Sequence, residues 1–127
     1  MQDKHVFEYA VIRIVPKVER EEFINVGVIL YCKEQKFLKA KFKLDEKKIH
    51  TLSIEIDLEE INDHLRSFDL ICEGGKDSGP IGQLGIVERF RWLTATRSTV
   101  LQSSKVHPGF CDDAEKTIER LFTQMVL

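Results

Sequence analysis

Phe7-Glu8-Tyr9-Ala10-Val11-Ile12-Arg13-Ile14-Val15-Pro16 decides how the rest of the chain is read. The stretch is rich in aromatic and β-branched residues, which favour a pleated strand. Alternation puts Tyr9, Val11, Arg13 and Val15 on one side and Ala10, Ile12 and Ile14 on the other. Both sides are apolar apart from the single arginine, so the strand belongs in the middle of a sheet, and Pro16 ends it. A charged connector, Lys17 to Glu22, has room for one helical turn. A second apolar run, Phe23 to Cys32, contains Asn25-Val26-Gly27-Val28, where Gly27 marks a bulge or a close backbone approach. Lys33 to Lys36 is a polar link of hairpin length, and Phe37 to Phe42 returns as a third strand. These three strands form an antiparallel meander.

The middle of the chain reads as helix. Asp45 caps a short helix to about Leu52, and Asp57 followed by Glu60 opens a longer one. Leu58, Ile61, Leu65, Phe68 and Ile71 line one face of that helix, which stops near Gly74-Gly75. Residues 74–85 hold five glycines and Pro80. Pro80 suits the start of a helix running to about Leu93, with Ile81, Leu84, Val87 and Phe90 facing inward. Ser98 to Ser104 is a weaker strand, and His107-Pro108-Gly109 reads as a turn. A last amphipathic helix opens at Asp112 or Asp113 and buries Ala114, Ile118, Leu121, Phe122 and Met125. Strands grouped first and helices after them predict an α+β fold: a mainly antiparallel sheet, the meander plus one or two later strands. About three to four helices cover it, mainly on one face. The expected domain is one, residues 1–127.

Composition narrows the functional classes. With 127 residues the chain can bury a core without staples, and 43% hydrophobic with 31% charged residues is the balance of a soluble globular protein. Nineteen basic and 21 acidic side chains leave a formal charge of −2, so bulk electrostatics give no argument for nucleic acid. Cys32, Cys72 and Cys111 are odd in number and far apart, which suits reduced thiols better than a disulfide framework. The first residues lack a signal-peptide pattern, and no apolar run is long enough to cross a bilayer. The expectation is a complete cytoplasmic protein.

The chemistry-bearing residues crowd into Glu88-Arg89-Phe90-Arg91-Trp92-Leu93-Thr94-Ala95-Thr96-Arg97-Ser98-Thr99 and continue to Cys111-Asp112-Asp113. Guanidinium groups among hydroxyls and aromatics suit a phosphate or carboxylate, and they equally suit a structural corner in which arginines tie down carbonyls. On a helix Arg89 and Arg91 point about 200° apart and cannot share one ligand. Glu88 is the expected ion partner of Arg91, and Arg89 shares a face with Trp92 for stacking. Trp92 itself reads as core. Arg97 lies in a loop beside Ser98 and Thr99 and is the leading anion-binding candidate, with Gln102 and His107 completing the set.

His107 and Cys111 form a second, weaker constellation: a thiol just before a helix with an imidazole four residues upstream. Asp112 and Asp113 would oppose a thiolate there, and a small buried thiol is the plainer account. No metal set is read, because His107 and Cys111 supply two ligands where a structural zinc takes four. Gly74-Gly75-Lys76-Asp77-Ser78-Gly79 has the wrong arrangement for a phosphate loop, and no cofactor is expected.

Tyr9-Ala10-Val11 with Arg13, Phe23 to Leu30, Gly79-Pro80-Ile81, Glu88 to Ala95, Arg97 to Val100, Gln102, Ser104, His107, Gly109 and Cys111-Asp112 together resemble a bacterial family, domain of unknown function 3037. The resemblance covers nearly the whole chain. Thr96 departs from it, standing where the family pattern has proline, which leaves the loop before Arg97 less rigid. The resemblance implies a small bacterial cytoplasmic protein. It also implies, in some genomes, a neighbouring kinase-like protein of the toxin–antitoxin type as a partner. It brings no activity.

Three functions follow as expectations. The first is a binding or partner module that takes a phosphate-bearing ligand or an acidic partner segment at Arg97, Ser98, Thr99, Gln102 and His107, with Arg89 and Arg91 nearby. The second is an enzyme, acting on a nucleotide or phosphate ester or through a Cys111–His107 thiol. The third is nucleic-acid binding, which needs Lys39, Lys41 and Lys43 to join Arg89 and Arg97 in one stripe; alternating strand lysines more often protect an edge. Phe37, Phe42 and Phe110 exceed the needs of one small core, so a homodimer through a sheet edge or the last helix is also expected.

Overall fold

A computed structural model describes residues 4–53, 55–95 and 99–127. In chain order the elements are β1 (His5–Ile14), β2 (Ile24–Cys32), β3 (Phe37–Phe42), α1 (Glu46–Leu52) and α2 (Leu58–Glu73). They continue with α3 (Gly79–Gly82), α4 (Ile86–Leu93), β4 (Leu101–Ser103), β5 (His107–Cys111) and α5 (Ala114–Met125), and single 3-10 turns lie at Val18–Arg20 and Lys76–Ser78. The sheet is antiparallel with order β3-β2-β1-β4, and β5 also pairs with β1. The fold is α+β. It carries five helices, one more than the upper expectation, because the segment from Pro80 to Leu93 is two helices rather than one.

β1 is the centre. Against β2 it runs in register from Glu8↔Tyr31 to Ile12↔Gly27, then shifts to Arg13↔Asn25, so Val26 is the extra residue of a β-bulge. Gly27 also meets its second expectation: a Cβ there would lie 2.3 Å from Phe42 Cδ1. On its other side β1 holds β4 along Ile12–Ile14 and β5 along His5–Tyr9. Ser104 spans the gap between them, donating its backbone N–H to Val11 O at 2.8 Å and accepting from Val11 N on its hydroxyl at 2.8 Å.

Both faces of the sheet are covered, most helices lying on one face, as expected, and α5 alone on the other. Ala10, Ile12, Ile14, Val26 and Ile29 face α1, α2 and α4, where Ile49, Ile61, Leu65, Ile71, Phe90 and Leu93 complete one core. Phe7, Val11, Val28, Leu30 and Cys32 face α5, which closes a second core with Ala114, Ile118, Leu121 and Phe122. The alternation read from β1 therefore maps onto two separate apolar layers. Phe42 packs on the first core and Phe37 on the second, while Phe110 stays exposed, so the surplus of apolar surface offered for a dimer shrinks to Phe110.

Helix starts follow their caps. Asp45 accepts from Lys48 N, Asp57 from Glu59 N and Glu60 N, and Asp113 from Glu115 N and Lys116 N. Gly74, at φ 75°, closes α2. Two local expectations fail. The helix drawn through residue 84 breaks at Gln83–Gly85, leaving Leu84 and Val87 exposed while Phe90 and Leu93 take the buried positions. His107-Pro108-Gly109 is strand, not turn: Tyr9↔His107, Glu8↔Pro108 and Phe7↔Gly109 pair across it. β5 is an outer strand, where a proline without an N–H is tolerated.

Candidate functional site

A cavity of about 730 Å³ lies between α2, the end of α4 and the chain entering β4. That is within the range of small-molecule sites, roughly 300–1,000 Å³. Its apolar wall comes from Ile61, Phe68 and Ile71 on one side of α2, with Ile56, Leu101 and Trp92 opposite. The 3.6-residue period that buries Ile61, Leu65 and Ile71 also points Phe68 at this space, held edge-on to Phe42 at 5.9 Å. The rim, among the described residues, carries Glu55, Asp57 and Glu60 against Lys17 and His64, with Ser53, Ser67 and Thr99 as hydroxyls. Trp92 was expected in the core. It is 41% exposed instead, at the cavity wall, because Phe90 and Leu93 take the inward side of α4.

The described residues of the rim do not assemble a nucleophile with a base. Ser67 lies one turn after His64 on α2, yet its hydroxyl donates to Asp63 O at 3.3 Å. His64 stands 3.9 Å from Glu60, both largely exposed.

The arginine candidates divide. Arg89 is spent on the backbone: Nη1 donates to Ile71 O at 2.7 Å and Cys72 O at 2.8 Å, and Nε donates to Leu84 O at 3.1 Å. It closes the carbonyl end of α2, the structural corner named as the alternative, and neither a ligand nor the Trp92 ring takes it. Arg91 pairs with Glu8 of β1, Nη2 lying 3.0 Å from both carboxylate oxygens, rather than with Glu88. Thr96, Arg97 and Ser98 lie outside the described residues. Thr99 donates its hydroxyl to Leu101 O at 2.7 Å, and Gln102 Nε2 donates to Thr99 O at 2.8 Å, so these two meet in a local turn.

His107 joins neither. It pairs with Tyr9 while Gln102 pairs with Arg13, four residues further along β1, which separates them by about 13 Å. Its ring lies 5.4 Å from that of Tyr9. The same arithmetic separates His107 from Cys111 by about 13 Å along β5. Cys111 is buried in the α5 core, and burial pushes its thiol pKa up, against a hydrogen bond with Thr117 that lowers it. The thiol pairing is therefore corrected: Cys111 is a small core residue without a base. Cys72 is pushed up further, to about 12, by burial first and by Asp69 second.

Lys39 and Lys41 are engaged as well. Lys39 Nζ meets Glu115 at 2.6 Å, and Lys41 pairs with Glu119 while lying 5.0 Å over the Phe122 ring. Two of the three lysines required for a nucleic-acid stripe thus hold α5 against the edge strand β3. Among the described residues no group of three or more His, Cys, Asp or Glu side chains is placed to hold a metal ion. No helix of the described residues is long and apolar enough to cross a membrane.

The family model described as protein of unknown function, DUF3037, matches residues 9–126. The chain belongs to the DUF3037 family. No curated protein and no solved structure matches it. In this DUF3037 chain the quoted family residues serve architecture in several places: Arg89 caps α2, Gly109 admits the Phe7 ring, and Ser104 ties the link between β4 and β5 to Val11 of β1. The exception is Arg13, which sequence reasoning placed on the central strand and did not count among the site residues. The signal was present, since Arg13 is the single charge in the otherwise apolar stretch from Tyr9 to Val15.

Proposed function

We propose that this DUF3037 protein is a binding module whose ligand enters the cavity between α2 and α4. The ligand is a small organic molecule with an apolar or aromatic body and a cationic end. One observation carries the reading: an apolar cavity of about 730 Å³ with a half-exposed Trp92 on its wall and, among the described residues, carboxylates dominating its rim. A large exposed indole beside Phe68 gives a flat body a surface to stack on. Three carboxylates against one lysine and one histidine favour a positive end. The phosphate-bearing ligand first expected draws no support from this described rim and rests on Arg97 and Ser98 alone.

Trp92 is the single tryptophan, so its fluorescence reports the cavity directly. Titration with 4-phenylbutylamine is expected to give a saturable change, and 4-phenylbutyrate at least a ten-fold weaker one. The double variant Glu55→Lys, Glu60→Lys is expected to reverse that order. Absence of a saturable response to either compound overturns the assignment. Tighter binding of the carboxylate in the native protein overturns the charge argument, and its loss in Arg97→Ala would return the anion reading.

A further inference from the structure

Among the described residues Arg13 has no hydrogen-bond or ion-pair partner, although it is partly buried in the sheet. Its Nε is fully buried and unpaired. A guanidinium has five donors and stays charged, so leaving it desolvated and unneutralised is costly. Burial alone lowers its pKa, and no ionised neighbour contributes. Every other described arginine with a resolved partner has a carboxylate or carbonyls: Arg20, Arg66 and Arg91 acids, Arg89 the end of α2.

We infer that Arg13, with Asn25 and Gln102 beside it, is a receptor for a single carboxylate. It lies on the face of the sheet opposite the cavity. Cross-strand pairing puts all three side chains on that face, Arg13 between Asn25 of β2 and Gln102 of β4. The face is otherwise covered by α5, and Asn25 Nδ2 donates to Met125 O at 3.0 Å, so Arg13 sits where that cover ends. The Phe23 ring lies 4.0 Å from the guanidinium carbon and fixes its plane. A planar fork held flat is the form that grips a carboxylate through two parallel bonds.

The neighbours decide the charge of the ligand. Asn25 and Gln102 are neutral amides, each using one amide N–H in the fold and retaining a second. One positive charge with neutral flanks matches a monoanion, whereas a phosphate dianion would remain half neutralised. Asn25 Oδ1 is also buried and unpaired, and because Asn25 is the register partner of Arg13 it can take the Nε hydrogen once the fork is engaged. Phe23 is 46% exposed and offers apolar surface to whatever body carries the carboxylate. The ligand class is an aryl or alkyl carboxylate.

Arginine side-chain NMR with sodium benzoate as the probe tests this. A saturable shift of the Arg13 Nε–Hε signal and of the Gln102 amide is expected, with inorganic phosphate at least ten-fold weaker. Both shifts should vanish in Arg13→Gln, and Arg13→Lys should restore only part of the affinity. Unmoved Arg13 signals, equal or tighter binding of phosphate, or full binding by Arg13→Gln would each overturn the inference. Should Arg13→Gln fail to fold, Gln102→Ala decides: a several-fold loss of benzoate affinity is expected, and unchanged affinity overturns it. The readout is independent of Trp92, so this site and the cavity stand or fall separately.

Discussion

Gly109 of β5 lies against the ring of Phe7 on β1 so closely that a Cβ at position 109 would stand 2.5 Å from Phe7 Cζ and 2.7 Å from Cε1. The two are register partners, and Phe7 is buried on the α5 side of the sheet. The ring fills the space a side chain would take. Gly109→Ala should therefore destabilise the protein by about 1–3 kcal/mol, the usual range for forcing extra volume into a packed core. Urea unfolding measures it, and Phe7→Leu on the same background should recover part of the loss.

Arg89 makes three charge-assisted bonds to carbonyls of α2 and of the segment before α4. Arg89→Ala leaves those carbonyls without a donor and should cost about 2–4 kcal/mol, less than three separate bonds would sum to. Arg89→Lys cannot span all three and should recover less than half. Neither variant should change the Trp92 response to 4-phenylbutylamine while the protein remains folded. A selective loss of ligand binding with unchanged stability would contradict the capping role.

Cys72 gives a pH signature. Its folded pKa, raised to about 12, exceeds the unfolded thiol value of about 8.5. The folded state therefore holds the proton more tightly, and stability is fully present below the unfolded value. It is lost as pH rises between about 9 and 12, by up to about 1.4 kcal/mol per unit. Cys72→Ala should show a shallower alkaline decline than the native protein when both are followed by chemical denaturation. Equal slopes would contradict the assignment.

Asp69 shifts upward too, from burial first and Glu73 second, so its charged form is disfavoured in the folded state. Its contribution is present at low pH and is lost as pH rises through the carboxylate range. Asp69→Asn should raise the melting temperature at pH 7 and leave it unchanged near pH 3. Thermal unfolding at the two pH values checks the sign.

Arg91 and Glu8 tie α4 to the sheet through a half-exposed pair. One nitrogen shared by two oxygens is not the parallel fork, so a double-mutant cycle should give a coupling near the low end of about 0.2–1 kcal/mol. Added salt should reduce it further.

What could be read from residues was whatever depends on near neighbours. Asp45, Asp57 and Asp113 announced their helices, because a cap needs only the next turn. The alternation in β1 predicted a buried central strand, and its odd and even residues do face different layers. His107-Pro108-Gly109 misled because its turn chemistry is local, while its pairing is with residues almost a hundred positions earlier. Arg89 and Arg91 misled for the same reason. Their composition suggested a ligand, but their partners are carbonyls of a distant helix end and a carboxylate on the first strand. Trp92 was misassigned because Phe90, expected inward, and Leu93 take the buried side of α4, and a residue two positions after Phe90 points about 200° away from it. Arg13 needed no structure to be noticed as odd, only to be found without a partner.

The sheet's central strand is covered by segments more than ninety residues further along the chain. Val11, Val28 and Leu30 receive their cover from α5, the final helix, while β5 closes the outer side of β1 just before it. A ribosome that has delivered everything up to the end of β4 therefore holds a nascent chain with one oily layer sealed and the other bare. Synthesis that stops there leaves a product prone to clumping and to capture by chaperones, so residues 104–127, which bring β5 and α5, act as the quality gate for this fold.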